Sequence, residues 1–125
     1  MEKTFSICEH CGNLVELIYA SGAKMICCGN VMTDLTPKTK DLGHEKHTPI
    51  ISVIENKVIV EVSSVPHPML PNHFIQWICL ETDKGFYRKN LNYGENAIAE
   101  FILNDEKPIA AYSYCNIHGL WKNQI

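Results

Sequence analysis

Ile50-Ile51-Ser52-Val53-Ile54-Glu55-Asn56-Lys57-Val58-Ile59-Val60-Glu61-Val62-Ser63-Ser64 is the stretch that decides the fold. Two runs of mostly β-branched residues flank Glu55-Asn56-Lys57, whose polar side chains suit a hairpin turn. In the second run Val58, Val60 and Val62 share one face, while Glu61 and Ser63 share the other, which is the period of a strand. A β domain therefore begins near Ile50.

Working outward, Phe74 to Glu81 reads as a strand apolar on both faces, with Ile75, Trp77 and Cys79 on one side and Phe74, Ile78 and Leu80 on the other. Such a strand belongs between two layers. Asp83-Lys84-Gly85 predicts a turn and Phe86 to Leu91 a further strand. Ala97 to Leu103 and Ile109 to Cys115 are strands on either side of Asn104-Asp105-Glu106-Lys107-Pro108. Ala97 to Leu103 has helical propensity, but seven residues between strong turn signals favour a strand. Short strands at this spacing predict an antiparallel sandwich of immunoglobulin-like architecture.

Upstream, residues 1–36 differ in character. They hold four of the six cysteines and too little apolar sequence for a core, so a metal must supply stabilisation. Residues 37–43, Pro37-Lys38-Thr39-Lys40-Asp41-Leu42-Gly43, form a polar linker to the domain that continues to residue 125. The hydrophobic share of 46% and charged share of 20% are those of a globular protein. A net charge of −3 provides no basic field for nucleic acid. The longest apolar candidate, residues 49–65, is broken by Glu55, Asn56, Lys57 and Glu61, so no membrane span is expected. Met1-Glu2-Lys3-Thr4-Phe5 lacks the features of a signal peptide, which predicts a cytoplasmic location with reduced thiols.

Reduced, clustered cysteines are read as metal ligands. Cys8-x2-Cys11 followed by Gly12 is half of a tetrathiolate knuckle, and Cys27-Cys28 supplies the other half. Adjacent side chains diverge, so both reach one ion only if the backbone twists, and Gly29 is placed to absorb that twist. Zinc and iron both accept four sulfurs, and a vicinal disulfide is the metal-free alternative. His10 lies inside the knuckle but reads as a surface residue. His47, His67, His73 and His118, with Cys115 in Cys115-Asn116-Ile117-His118-Gly119, form a second candidate ligand set. Pro49, Pro66 and Pro68 place fixed loops around two of these histidines. Cys79 reads as core, His44 as a loop residue, and Trp77 and Trp121 as packing near the site.

Cys8-x2-Cys11 with Cys27-Cys28, Glu45-Lys46-His47-x-Pro49, His67-Pro68-Met69 with His73, and Cys115-Asn116-x-His118-Gly119 together resemble the desulfoferrodoxin family, the two-iron superoxide reductases, over essentially the whole chain. That resemblance implies a desulforedoxin-like module over residues 1–36 with a distorted tetrathiolate iron. It implies a second iron in residues 37–125 with His47, His67, His73 and His118 equatorial and Cys115 axial. The reaction implied is one-electron reduction of superoxide to hydrogen peroxide. Lys46 would steer superoxide and organise water, and Glu45 would fill the sixth position of ferric iron. A rubredoxin-like donor and a homodimer follow from the same resemblance. The competing readings are an electron carrier without turnover and a zinc-ribbon interaction module on a β-sandwich.

Overall fold

The computed structural model describes residues 4–39, 47–62 and 67–125. Contacts divide the chain into two compact units, Met1–Thr36 and Pro37–Ile125. No helix occurs among the described residues, and none is long and apolar enough to cross a membrane.

The first unit is built from short strands that the sequence reading did not assign. β1 (Thr4–Ile7) lies between β2 (Leu14–Leu17) and, beyond a separate hairpin of β3 (Ile26–Cys27) and β4 (Asn30–Val31), β5 (Thr33–Leu35). Phe5, Cys8 and Met32 are buried, while Ile18, Tyr19, Ile26 and Val31 are exposed. Three buried apolar side chains among the described residues make a small core, and strands this short carry too few residues for their alternation to be read.

The second unit is a sandwich. β6 (Pro49–Ile54) and β7 (Lys57–Val62) form the hairpin expected from the opening stretch. Its turn is shorter than expected: Ile54 pairs with Lys57, leaving two turn residues, with Glu55 at a φ of 56°. β8 (Ile75–Thr82), β9 (Phe86–Asn90), β10 (Ile98–Ile102), β11 (Pro108–Cys115) and β12 (Gly119–Gln124) complete the unit. The sheets run β10-β7-β6 and β12-β11-β8-β9, with antiparallel pairing throughout. Three strands facing four is the immunoglobulin-like arrangement. Val58, Val60 and Val62 meet Ile78, Leu80, Phe101 and Ala111 in the core between them.

β8 departs from simple alternation. Tyr114 pairs with Trp77 but Cys115 pairs with Ile75, so Gln76 is an extra residue in β8. This bulge turns Ile75 into the core cluster with Ile78 and Leu80, rather than onto the side of Trp77 and Cys79 as alternation predicts. On the other face Trp77 stacks on Tyr114, and Tyr112 packs against Phe86. Cys79 is fully buried, as expected of a core thiol.

Candidate metal centres

The first cluster is made by two turns. Cys8 N–H donates to the Asn13 carbonyl and Gly12 N–H to the Cys8 carbonyl, 2.9 and 2.8 Å, closing the Cys-x2-Cys loop. Cys11 N–H points at the Cys8 sulfur, 3.4 Å, and this lowers the Cys8 thiol to about 6. The second turn is the connection between β3 and β4. Cys28 and Gly29 both have positive φ, 53° and 77°, as a two-residue hairpin turn of right-handed twist requires. The backbone twist expected at Gly29 thus begins at Cys28 itself, and this is how neighbouring cysteines face one centre. Cys11 and Cys27 sulfurs lie 3.6 Å apart, and all four ligand atoms lie within 4.8 Å of one another. Hydrogen bonds to the Cys11 and Cys8 sulfurs push Cys28 up to about 12 and raise Cys27. Four thiols this close ionise together only when a cation neutralises them. The Asn13 side-chain amide adds a donor to Cys27 Sγ at 3.6 Å. His10 is exposed, in keeping with a surface residue.

The second cluster lies at one end of the sandwich, where β6, β8 and β12 begin and β7 and β11 end. His47 precedes β6, His67 follows the β7 end, and His73 sits in a turn closed by two backbone hydrogen bonds with Leu70. Cys115 ends β11, and His118 lies in the tight connection to β12, which Gly119 completes at a φ of 85°. The imidazoles form a closed ring: His47 to His67 is 4.7 Å between centroids, His67 to His73 4.8, His73 to His118 5.1 and His118 to His47 4.6. His118 Nδ1 is 3.0 Å from His47 Nε2 and 3.7 Å from Cys115 Sγ. His47, His67 and Cys115 are buried, whereas His118 stands at the solvent edge.

Orientation is set from outside the ring. The His67 Nδ1 bonds the Pro68 carbonyl, 2.7 Å, which directs Nε2 inward. Among the described residues that buried Nε2 has no hydrogen-bond partner. Burial, together with the neighbouring imidazoles, lowers His67 to about 4, so it is a neutral donor at physiological pH. An inward-facing buried nitrogen without a partner, beside the Cys115 sulfur, fits a metal ion. Asn116 holds two loops together, accepting from Phe74 N–H and donating to the Asn72 carbonyl, both 3.0 Å. It thereby ties the His73 turn to the Cys115–His118 turn. Trp121 stacks flat on His47 at 4.7 Å and 12°, and Ser113 Oγ donates to the His47 carbonyl at 3.0 Å.

All nine cysteine and histidine ligands expected from the sequence fall into these two groups. Glu45, Lys46 and His44 lie outside the described residues. Sequence reading placed Trp121 near the site but not its stacking on His47. It missed Asn116 as a bridge, Ser113 and, in the linker, Lys38. Only Asn116, inside the Cys-x2-His spacing, carried a signal that could have found it.

Two antiparallel units, one with a four-sulfur cluster and one with a four-imidazole, one-sulfur cluster, define a non-haem metalloprotein fitted for two iron centres. The desulfoferrodoxin profile matches residues 39–124. The chain belongs to the desulfoferrodoxin family. It is 44% identical over 116 residues to a desulfoferrodoxin homolog of Archaeoglobus fulgidus, covering 93% of this chain and 92% of that one. A superoxide reductase of Thermococcus kodakarensis is 35% identical over 112 residues, 75% of this chain and 97% of its own. The crystal structure of the superoxide reductase from Treponema pallidum superposes with a TM-score of 0.85 at 32% identity, covering 98% of both chains.

Proposed function

We propose that the protein is a superoxide reductase, taking superoxide, one electron and two protons to hydrogen peroxide at the centre formed by His47, His67, His73, His118 and Cys115. The closed ring of four imidazoles with a sulfur beside it is the observation that carries this reading. Ferrous iron held by these five side chains would supply the electron.

The residues do the rest. Four imidazoles and one thiolate would offset only one of the two charges of a ferrous ion, so the centre would attract an anion despite the net charge of −3 on the chain. Cys115, the one sulfur of the set, would be the strongest electron donor to the ion. His118 at the exposed edge gives a small anion access from solvent, while His47 and His67 are buried. Lys46 steers superoxide and organises the water that supplies protons. Glu45 would supply a hard carboxylate suited to ferric iron. A reduced rubredoxin-like protein returns the electron, and the enzyme works as a cytoplasmic homodimer. The tetrathiolate centre of the desulforedoxin-like module stabilises residues 1–36 and holds a second iron.

Rapid mixing of the ferrous protein with superoxide tests the reaction. One peroxide per superoxide, with no dioxygen released, is expected. Dioxygen release would mean dismutation, and no consumption would leave an electron carrier. Lys46→Ala slows capture several-fold at low ionic strength, and an unchanged rate would remove it from steering. Glu45→Ala alters the ferric absorption spectrum more than the capture rate, and an untouched spectrum would remove it from the oxidised site.

A further inference from the structure

Lys38 lies eighty residues before His118, yet the fold brings it to that histidine at the ring's edge. Residue 38 runs beside the edge strand β12 as a parallel bridge to Trp121. Its backbone is fixed on both sides, with Lys38 N–H donating to the Leu120 carbonyl and Lys122 N–H to the Lys38 carbonyl, each 2.9 Å. The side chain is therefore delivered to one place. Its ammonium donates to the His118 carbonyl at 2.9 Å and sits 5.4 Å over the centroid of the Trp121 ring. Trp121 completes the arrangement by giving its Nε1–H to the same carbonyl, 3.2 Å, while its face lies on the His47 imidazole. One cation thus touches the backbone of one ring histidine and the indole that backs another.

We infer that Lys38 is a positioning residue of the four-histidine centre, a cation pinned at its rim that favours anion approach and the ferrous state. The inference rests on the iron and superoxide reading above. Its electrostatic logic is simple. Reducing ferric to ferrous iron removes one unit of positive charge from the centre, so a nearby fixed cation favours the reduced form. The same charge raises the local concentration of superoxide, and because Lys38 is exposed the effect is screened by salt. The ammonium and the indole N–H together hold the His118 carbonyl, and with it the turn that presents Nδ1.

The test compares Lys38→Met and Lys38→Arg with the wild-type holoprotein. The midpoint potential of the second iron is followed by its ferric thiolate absorption, and superoxide capture is measured from low to high ionic strength. Lys38→Met is expected to have a lower midpoint potential and several-fold slower capture at low ionic strength, with the difference shrinking in salt. Lys38→Arg restores both. An unchanged potential in Lys38→Met overturns the inference, and so does a lowered potential that Lys38→Arg fails to restore. Should Lys38→Met lose the ferric absorption altogether, Lys38→Gln replaces it, since its amide keeps a donor without the charge. A wild-type protein that consumes no superoxide defeats the reductase reading alone, because the potential still reports on Lys38.

Discussion

At the scale of single residues, the second centre depends on side chains that would never touch a metal. Asn116 shows this most directly, since one amide spans the loops of His73 and of Cys115 and His118. Asn116→Ala is expected to weaken cobalt binding at this centre by about 10- to 100-fold, measured by competition with a chelator, while the tetrathiolate cobalt spectrum stays unchanged. Cys115→Ser keeps the four imidazoles but replaces a soft anionic donor with a poor one. Its cobalt or ferric form should lack the thiolate charge-transfer band of the second centre, and the reduced protein should no longer turn over superoxide. The ligands themselves were legible because cysteine and histidine have few other reasons to cluster. Asn116, Ser113 and Lys38 were not, because a hydrogen bond across dozens of residues leaves no mark on local sequence.

At the scale of elements, legibility followed the strength of alternation. Val58, Val60 and Val62 named their own face, and the β6–β7 hairpin came out as read apart from Lys57, which belongs to the strand. The β8 faces came out wrong at Ile75, because a bulge at Gln76 reverses the alternation without any residue that announces it. β12 was missed because Leu120 and Trp121 are both buried, which erases the period. The β3–β4 turn offers a sharper test. Gly29 has a φ of 77° with open space where a Cβ would go, so any penalty is backbone strain rather than collision. Gly29→Ala should destabilise the first unit by about 1–2 kcal/mol, read as easier loss of its metal to a chelator. An unchanged chelator midpoint would mean that the turn does not shape the cluster.

At the scale of the molecule, the two units differ in what keeps them folded. Pro37–Ile125 has a continuous core between two sheets, whereas among the described residues of the first unit only Phe5, Cys8 and Met32 are buried apolar side chains. Metal removal should therefore act unequally. With both ions stripped, amide hydrogens of residues 4–35 are expected to exchange rapidly, while those of β7, β8 and β11 remain protected. Equal loss of protection in both units would show that the sandwich too needs its ion. Composition alone set residues 1–36, with four cysteines and little apolar sequence, apart from the remainder. The convergence of His47, His67, His73 and His118 was not, because only the sheet topology brings segments so distant to one end.

The two ligand sets also differ in the length of chain each needs. Residues 8–28 contain all of the first, while the second spans 47–118 and closes only when β11 and β12 have paired. On a ribosome, the sulfur cluster can capture its ion while most of the sandwich is still being made. The imidazole ring must wait until His118 has emerged, so the first ligand set is complete in the growing chain well before the second.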